Sequence, residues 1–94
     1  VIEESLVEPV SVEDLKLIPG RYYIIAGVFS SYENAEALLL HFRDFYEISS
    51  VEYSGKKDDN YIVSFEVFDD KQLALEKLLE YRQIEPKAWL HKAR

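Results

Sequence analysis

The 94 residues make one small domain at most, and 48% apolar with 14% aromatic residues is enough to bury a core and argues against wholesale disorder. A formal net charge of −7 excludes the basic footprint that phosphate binding needs, so no nucleic-acid partner is expected. The absence of cysteine excludes disulfide frameworks and thiolate–zinc sites.

In chain order, residues 1–20 come first. They hold five acids (Glu3, Glu4, Glu8, Glu13, Asp14) against Lys16, with Pro9 and Pro19 as breakers. They are expected to form an acidic linker, or a leader segment docked against the domain, ended by a Pro19-Gly20 turn. The start at Val1 and the lack of methionine suggest a piece of a longer parent. No run reaches the roughly 18 apolar residues that span a bilayer, and no signal peptide is visible, so no membrane contact is expected of this segment.

Arg21–Phe29 is apolar, aromatic and β-branched, and predicts a central strand. Ser30 with Glu33 predicts a capping box. Ala35, Leu38, Leu39, Phe42 and Phe45 follow at helical spacing as the buried stripe of a first helix. After a break near Glu47, Ile48–Ser54 is moderately strand-like, and 55–60 predicts a polar hairpin loop. Tyr61–Phe68 is the third strand. Asp69 and Gln72 predict the cap of a second helix carrying Ala74, Leu75, Leu78 and Leu79, with the stem of Arg82 covering apolar surface. Pro86 ends this helix, and Lys87–His91 predicts a last strand.

The second half repeats the first. Tyr22, Val28, Phe29, Ala35, Leu39 and Leu40 recur 39 positions later as Tyr61, Val67, Phe68, Ala74, Leu78 and Leu79. The order βαββαβ predicts an α+β, ferredoxin-like (RNP-like) fold: a four-stranded antiparallel sheet with two helices on one face and the other face open.

Alternation assigns Tyr23, Ile25, Gly27, Ile62, Ser64 and Glu66 to that open face, and Tyr22, Tyr61, Val28 and Val67 to the core face. A bulge at Gly27 would shift the assignment beyond it. Tyr53 and Trp89 are the candidates for open-face aromatics from the outer strands, although Trp89 also suits a core position.

Nothing points to catalysis. His41 and His91 are isolated from further metal ligands, and the pairs Asp58-Asp59 and Asp69-Asp70 suit a hairpin tip and a helix cap. No nucleophile elbow, P-loop or dinucleotide pattern occurs. The expected role is a binding module, not an enzyme, with neither cofactor nor metal.

The stretch Tyr22–Glu36, an aromatic-led strand, Gly27, Phe29, a Ser-rich turn and the Glu33-Asn34-Ala35 helix start, resembles the first half of a SPOR domain. Tyr61–Ala74 resembles its second half, and Ala88-Trp89-Leu90 its ending, so that the resemblance spans about residues 21–92. It implies a bacterial periplasmic or cell-envelope module, in an exported or membrane-anchored division protein, that binds septal peptidoglycan glycan strands stripped of stem peptides across the open sheet face. Ile25, Val28, Glu66 and Val67 depart from the family pattern, which removes polar groups and, at Glu66, adds negative charge facing the ligand.

The same fold with an apolar face suits a protein partner or self-association as an alternative. An RNA-binding ferredoxin-like domain is disfavoured by acidity and by the lack of Lys or Arg beside the strand aromatics.

Overall fold

The computed structural model describes residues 17–94. The expected docking of residues 1–16 lies outside the described residues. In chain order the elements are β1 (Tyr22–Phe29), α1 (Tyr32–Leu40) continued by a π-helical turn (His41–Phe45), β2 (Glu52–Lys57), β3 (Asn60–Phe68), α2 (Lys71–Tyr81) and β4 (Trp89–Lys92). The strands form one sheet in the order β2-β3-β1-β4, with every neighbouring pair antiparallel. Ala35 and Leu39 of α1 and Leu78 of α2 share one core cluster with Ile24, Val63 and Phe65, so both helices cover the same face. This is the expected α+β architecture.

Several boundaries move. The hairpin turn is only Asp58-Asp59, because both adopt left-handed φ values of 54° and 65°, which matches the right-handed twist of the paired strands. The predicted loop 55–57 therefore belongs to β2. Each helix cap falls one residue later than predicted. Ser31 is extended, accepts from the Asn34 amide at 3.4 Å, and donates to Glu33 Oε1 at 2.8 Å. Asp70 accepts from the Leu73 amide at 3.2 Å, while Asp69 pairs with Arg21 at 3.0 Å. The offset of 39 survives, since Ser31 and Asp70 are themselves 39 apart.

The buried helical stripes are narrower than expected. Ala35, Leu39 and Phe42 are buried, but Phe45 is 72% exposed. The π turn spends an extra residue per turn, and this carries Phe45 off the stripe. On α2 only Ala74 and Leu78 are buried, whereas Leu75 and Leu79 face solvent, as does Leu40. The Arg82 Nε donates to the Ala88 carbonyl at 2.7 Å.

The pairing of β1 with β3 has two register shifts, one on each side of the Ile25↔Ser64 pair. Ala26-Gly27 is the extra step on β1 and Phe65-Glu66 the extra step on β3. These two dipeptides stand 39 apart, as do Ile25 and Ser64. Exchanging the halves turns Tyr22↔Phe68 into Tyr61↔Phe29, and Tyr23↔Val67 into Ile62↔Val28. The duplication is thus a pseudo-two-fold whose axis passes through Ile25 and Ser64, and the bulges obey it.

Each bulge turns two consecutive residues to the same side. A Cβ on Gly27 would meet Leu38 Cδ2 and Phe29 Cε2 at 2.8 Å, so the glycine faces the helices. Gly27→Ala is expected to destabilise the fold by about 1–3 kcal/mol through overpacking. A urea midpoint equal to that of the parent chain would show instead that both side chains move aside freely.

Candidate functional site

The bulges redraw the open face. Val28 and Val67, expected in the core, emerge on it: Val28 lines a groove with Ile25 and Ile62, and Val67 packs with Tyr23. Gly27 and Glu66, expected on it, turn to the helices. The Tyr81 hydroxyl donates to Glu66 Oε1 at 2.7 Å, so the Glu66 charge does not face a ligand on the sheet. Tyr53 also lies on the helix side. It pairs with Val63, packs on the main core and stacks on Tyr32 at 5.3 Å.

Tyr23, Ile25, Ile62, Ser64 and Trp89 keep the expected side, but with unequal access. Ser64 is fully buried with its hydroxyl tied to that of Ser54. Tyr23 is only 4% exposed because the chain folds back over it. Ile18 to Arg21 form a turn closed by the Arg21 amide donating to the Ile18 carbonyl at 3.2 Å, with Pro19 second and Gly20 third at φ 89°, a type II turn. The turn lays Leu17 on the cluster of Tyr23, Ile25, Ile62 and Ala93, and the Ile18 amide donates to the Tyr23 hydroxyl at 2.7 Å. Residues 17–20 are thus part of the folded unit. The Pro19-Gly20 turn of this strap is the one read from the sequence, while the seat of Leu17 and Ile18 on Tyr23 depends on a contact across the sheet face.

The two pseudo-equivalent halves of the face therefore differ. The Tyr23–Val67 half is covered by Leu17. The Ile62–Val28 half carries a shallow groove of about 220 Å³. Ile25, Ile62 and Val28 floor it, Trp89 and His91 of the edge strand form one wall, and Asp58 of the β2–β3 turn with Asn60 at the start of β3 forms the other. Val28 is 40% and Trp89 41% exposed. Sequence reasoning missed Val28, His91, Asp58 and Asn60. Period-2 spacing from Trp89 would have pointed to His91, whereas Val28 depends on the bulge.

Among the described residues no group of three or more His, Cys, Asp or Glu is arranged to hold a metal ion. A SPOR domain family model matches residues 18–90. The chain belongs to the SPOR domain family. SPOR domains are septal peptidoglycan-binding modules of envelope and division proteins. The match to this SPOR domain starts at Ile18, inside the strap rather than at β1. No curated protein and no solved structure matches the chain.

One polar pair of this SPOR domain carries a pH signature. Tyr81 stacks on Phe65 at 4.7 Å. Burial pushes the Tyr81 phenol up to about 12, opposed by the hydrogen bond with Ser50 and helped by the Glu66 carboxylate that accepts its hydrogen bond. The unfolded phenol titrates near 10. A folded pKa above the unfolded one stabilises the fold fully below pH ~10, and this contribution is lost as pH rises toward about 12. Tyr81→Phe is expected to cost about 1 kcal/mol at neutral pH. The gap to the parent chain should close between these pH values in urea titrations, and a gap constant with pH would refute the linkage.

Proposed function

We propose that this domain binds peptidoglycan glycan strands stripped of stem peptides, on the Ile62–Val28 half of the open sheet face, as a non-catalytic module of a bacterial periplasmic division protein. The observation that carries this reading is Trp89, exposed on the edge strand beside a groove floored by Ile25 and Ile62. An aromatic plane next to a shallow apolar floor suits the C–H face of a pyranose, and Asp58 at the edge of the groove opposes peptide carboxylates. Within this reading residues 21–94 carry the binding face, and the strap at 17–20 closes the half of it that the glycan does not use.

The test is pelleting with sacculi before and after an amidase removes stem peptides. Pelleting that rises on stripping is expected, and absence of pelleting from both preparations refutes the reading. A second reading is favoured by the aliphatic floor and exposed Val28: a protein partner or a second copy covers the same groove. A dimer in solution together with no pelleting would select it.

A further inference from the structure

We infer that the strap at 17–20 is a displaceable cover. It occupies half of the binding face, competes there with a ligand that runs across the sheet, and makes access depend on whether it is lifted. The inference rests on the sheet face being the binding surface and adds how that surface is regulated.

The covered half is built like the open one. Tyr23↔Val67 and Val28↔Ile62 are the pairs on either side of the pseudo-two-fold centre, so each half offers two adjoining side chains beside Ile25. The Tyr23–Val67 half adds an aromatic ring with a polar tip, which suits a ligand that is apolar on one face and polar at its edge. Both features are taken by the chain itself. Leu17 lies on the cluster of Tyr23, Ile25, Ile62 and Ala93, and the Ile18 amide donates to the Tyr23 hydroxyl at 2.7 Å. Ile25 and Ile62 also floor the open groove. A ligand extended from the groove toward Tyr23 therefore meets Leu17, and the two exclude each other. With the strap closed, the ligand is confined to the Ile62–Val28 half.

The cover is lightly held. Leu17 is only partly buried, and Ile18 is 50% exposed. Beyond the Tyr23 contact and the turn itself, the Gly20 amide donates to the Ala93 carbonyl at 2.9 Å. Against these contacts stands the backbone freedom that the segment regains on lifting. Segments with few buried contacts open locally, without unfolding of the sheet beneath them. The Ala93 amide donates to the Arg21 carbonyl at 3.0 Å, which anchors the chain at the threshold of β1 and leaves Pro19-Gly20 as the hinge. Residues 1–16 join the strap directly, so tension along them acts on the cover.

Gly20 allows the hinge to be varied alone. Its φ is 89°, and a Cβ there would meet nothing within 4 Å. An L side chain at this φ disfavours the closed turn by about fivefold or more, whereas a D residue favours it. Gly20→Ala and a synthetic chain carrying Gly20→D-Ala therefore push the strap in opposite directions with the same atoms, and neither touches the face.

Two measurements test the cover. In hydrogen exchange, the Ile18 amide of the parent chain is expected to exchange at least about tenfold faster than the amides of β1 and β3. It should exchange about fivefold faster again in Gly20→Ala, and more slowly in Gly20→D-Ala. In titrations with amidase-stripped sacculi, apparent affinity follows the open population. It is expected to rise about fivefold in Gly20→Ala and to fall below that of the parent chain in Gly20→D-Ala. An Ile18 amide as slow as those of the central strands overturns the cover, because the strap then opens only with the whole fold. Equal affinity in the two variants, or weaker binding by Gly20→Ala, overturns it as well. Absence of pelleting from every variant refutes the glycan reading, and the exchange of Ile18 alone then upholds or overturns the cover.

Discussion

Replacing Phe65 by alanine is expected to cost about 3–5 kcal/mol, the range for deleting a fully buried phenyl ring. Phe65 has no exposed surface and sits where three elements meet. Its ring stacks on Tyr81 of α2 at 4.7 Å with planes 5° apart, and meets Phe42 of the π turn edge-on at 4.7 Å. Its backbone carbonyl accepts from the Ser50 hydroxyl at 2.7 Å, which ties the segment before β2 to the bulge of β3. The loss would remove a large part of the roughly 5–10 kcal/mol that holds a domain of this size together. A fall in melting temperature of more than about 12 °C follows from the size scaling. A fall below a few degrees would mean that Tyr81 and Phe42 collapse into the space, so that the two helices are not joined through this ring.

Trp89→Ala has the opposite profile. The indole is 41% exposed on an edge strand, so its removal should lower the melting temperature by only a few degrees. Binding should suffer far more. Large aromatic anchors contribute about 2 kcal/mol or more at binding surfaces, and pelleting with stripped sacculi is expected to fall at least tenfold, roughly the equivalent of 1.4 kcal/mol. Unchanged pelleting with an intact fold would move the ligand off this half of the sheet. Ser64→Ala provides the contrast, because the Ser64 hydroxyl is buried against Ser54 and reaches no ligand.

Much of this fold was legible from periodicity. The aromatic and β-branched runs at Tyr22–Phe29 and Tyr61–Phe68 became the two central strands, because near-continuous apolarity marks strands covered on at least one face. Ala35, Leu39, Ala74 and Leu78 are buried as their i, i+4 spacing predicts. Phe45 and Leu79 were not legible, because apolar character alone does not tell where a π turn or a narrow helix–sheet contact ends the stripe. The caps slipped by one residue for a related reason: Ser30-Ser31 and Asp69-Asp70 each offer two side chains able to cap. Only the approach of the strand to its helix selects between them.

The candidate site was half legible. Tyr23, Ile25, Ile62, Ser64 and Trp89 lie on the expected face, while Gly27, Glu66 and Tyr53 lie on the other. Element order, duplication and the residues of the central core follow from local spacing and from the burial of apolar side chains. Strand pairing decided which residues reach the open face. A bulge is a mismatch between two strands: Gly27 marks the one at Ala26-Gly27, nothing local marks the one at Phe65-Glu66, and each reverses the side chains beyond it. The same holds for the cover over Tyr23. Its hydroxyl is claimed by the Ile18 amide and its ring by Leu17, and both contacts exist only once the type II turn folds the chain back across the finished sheet.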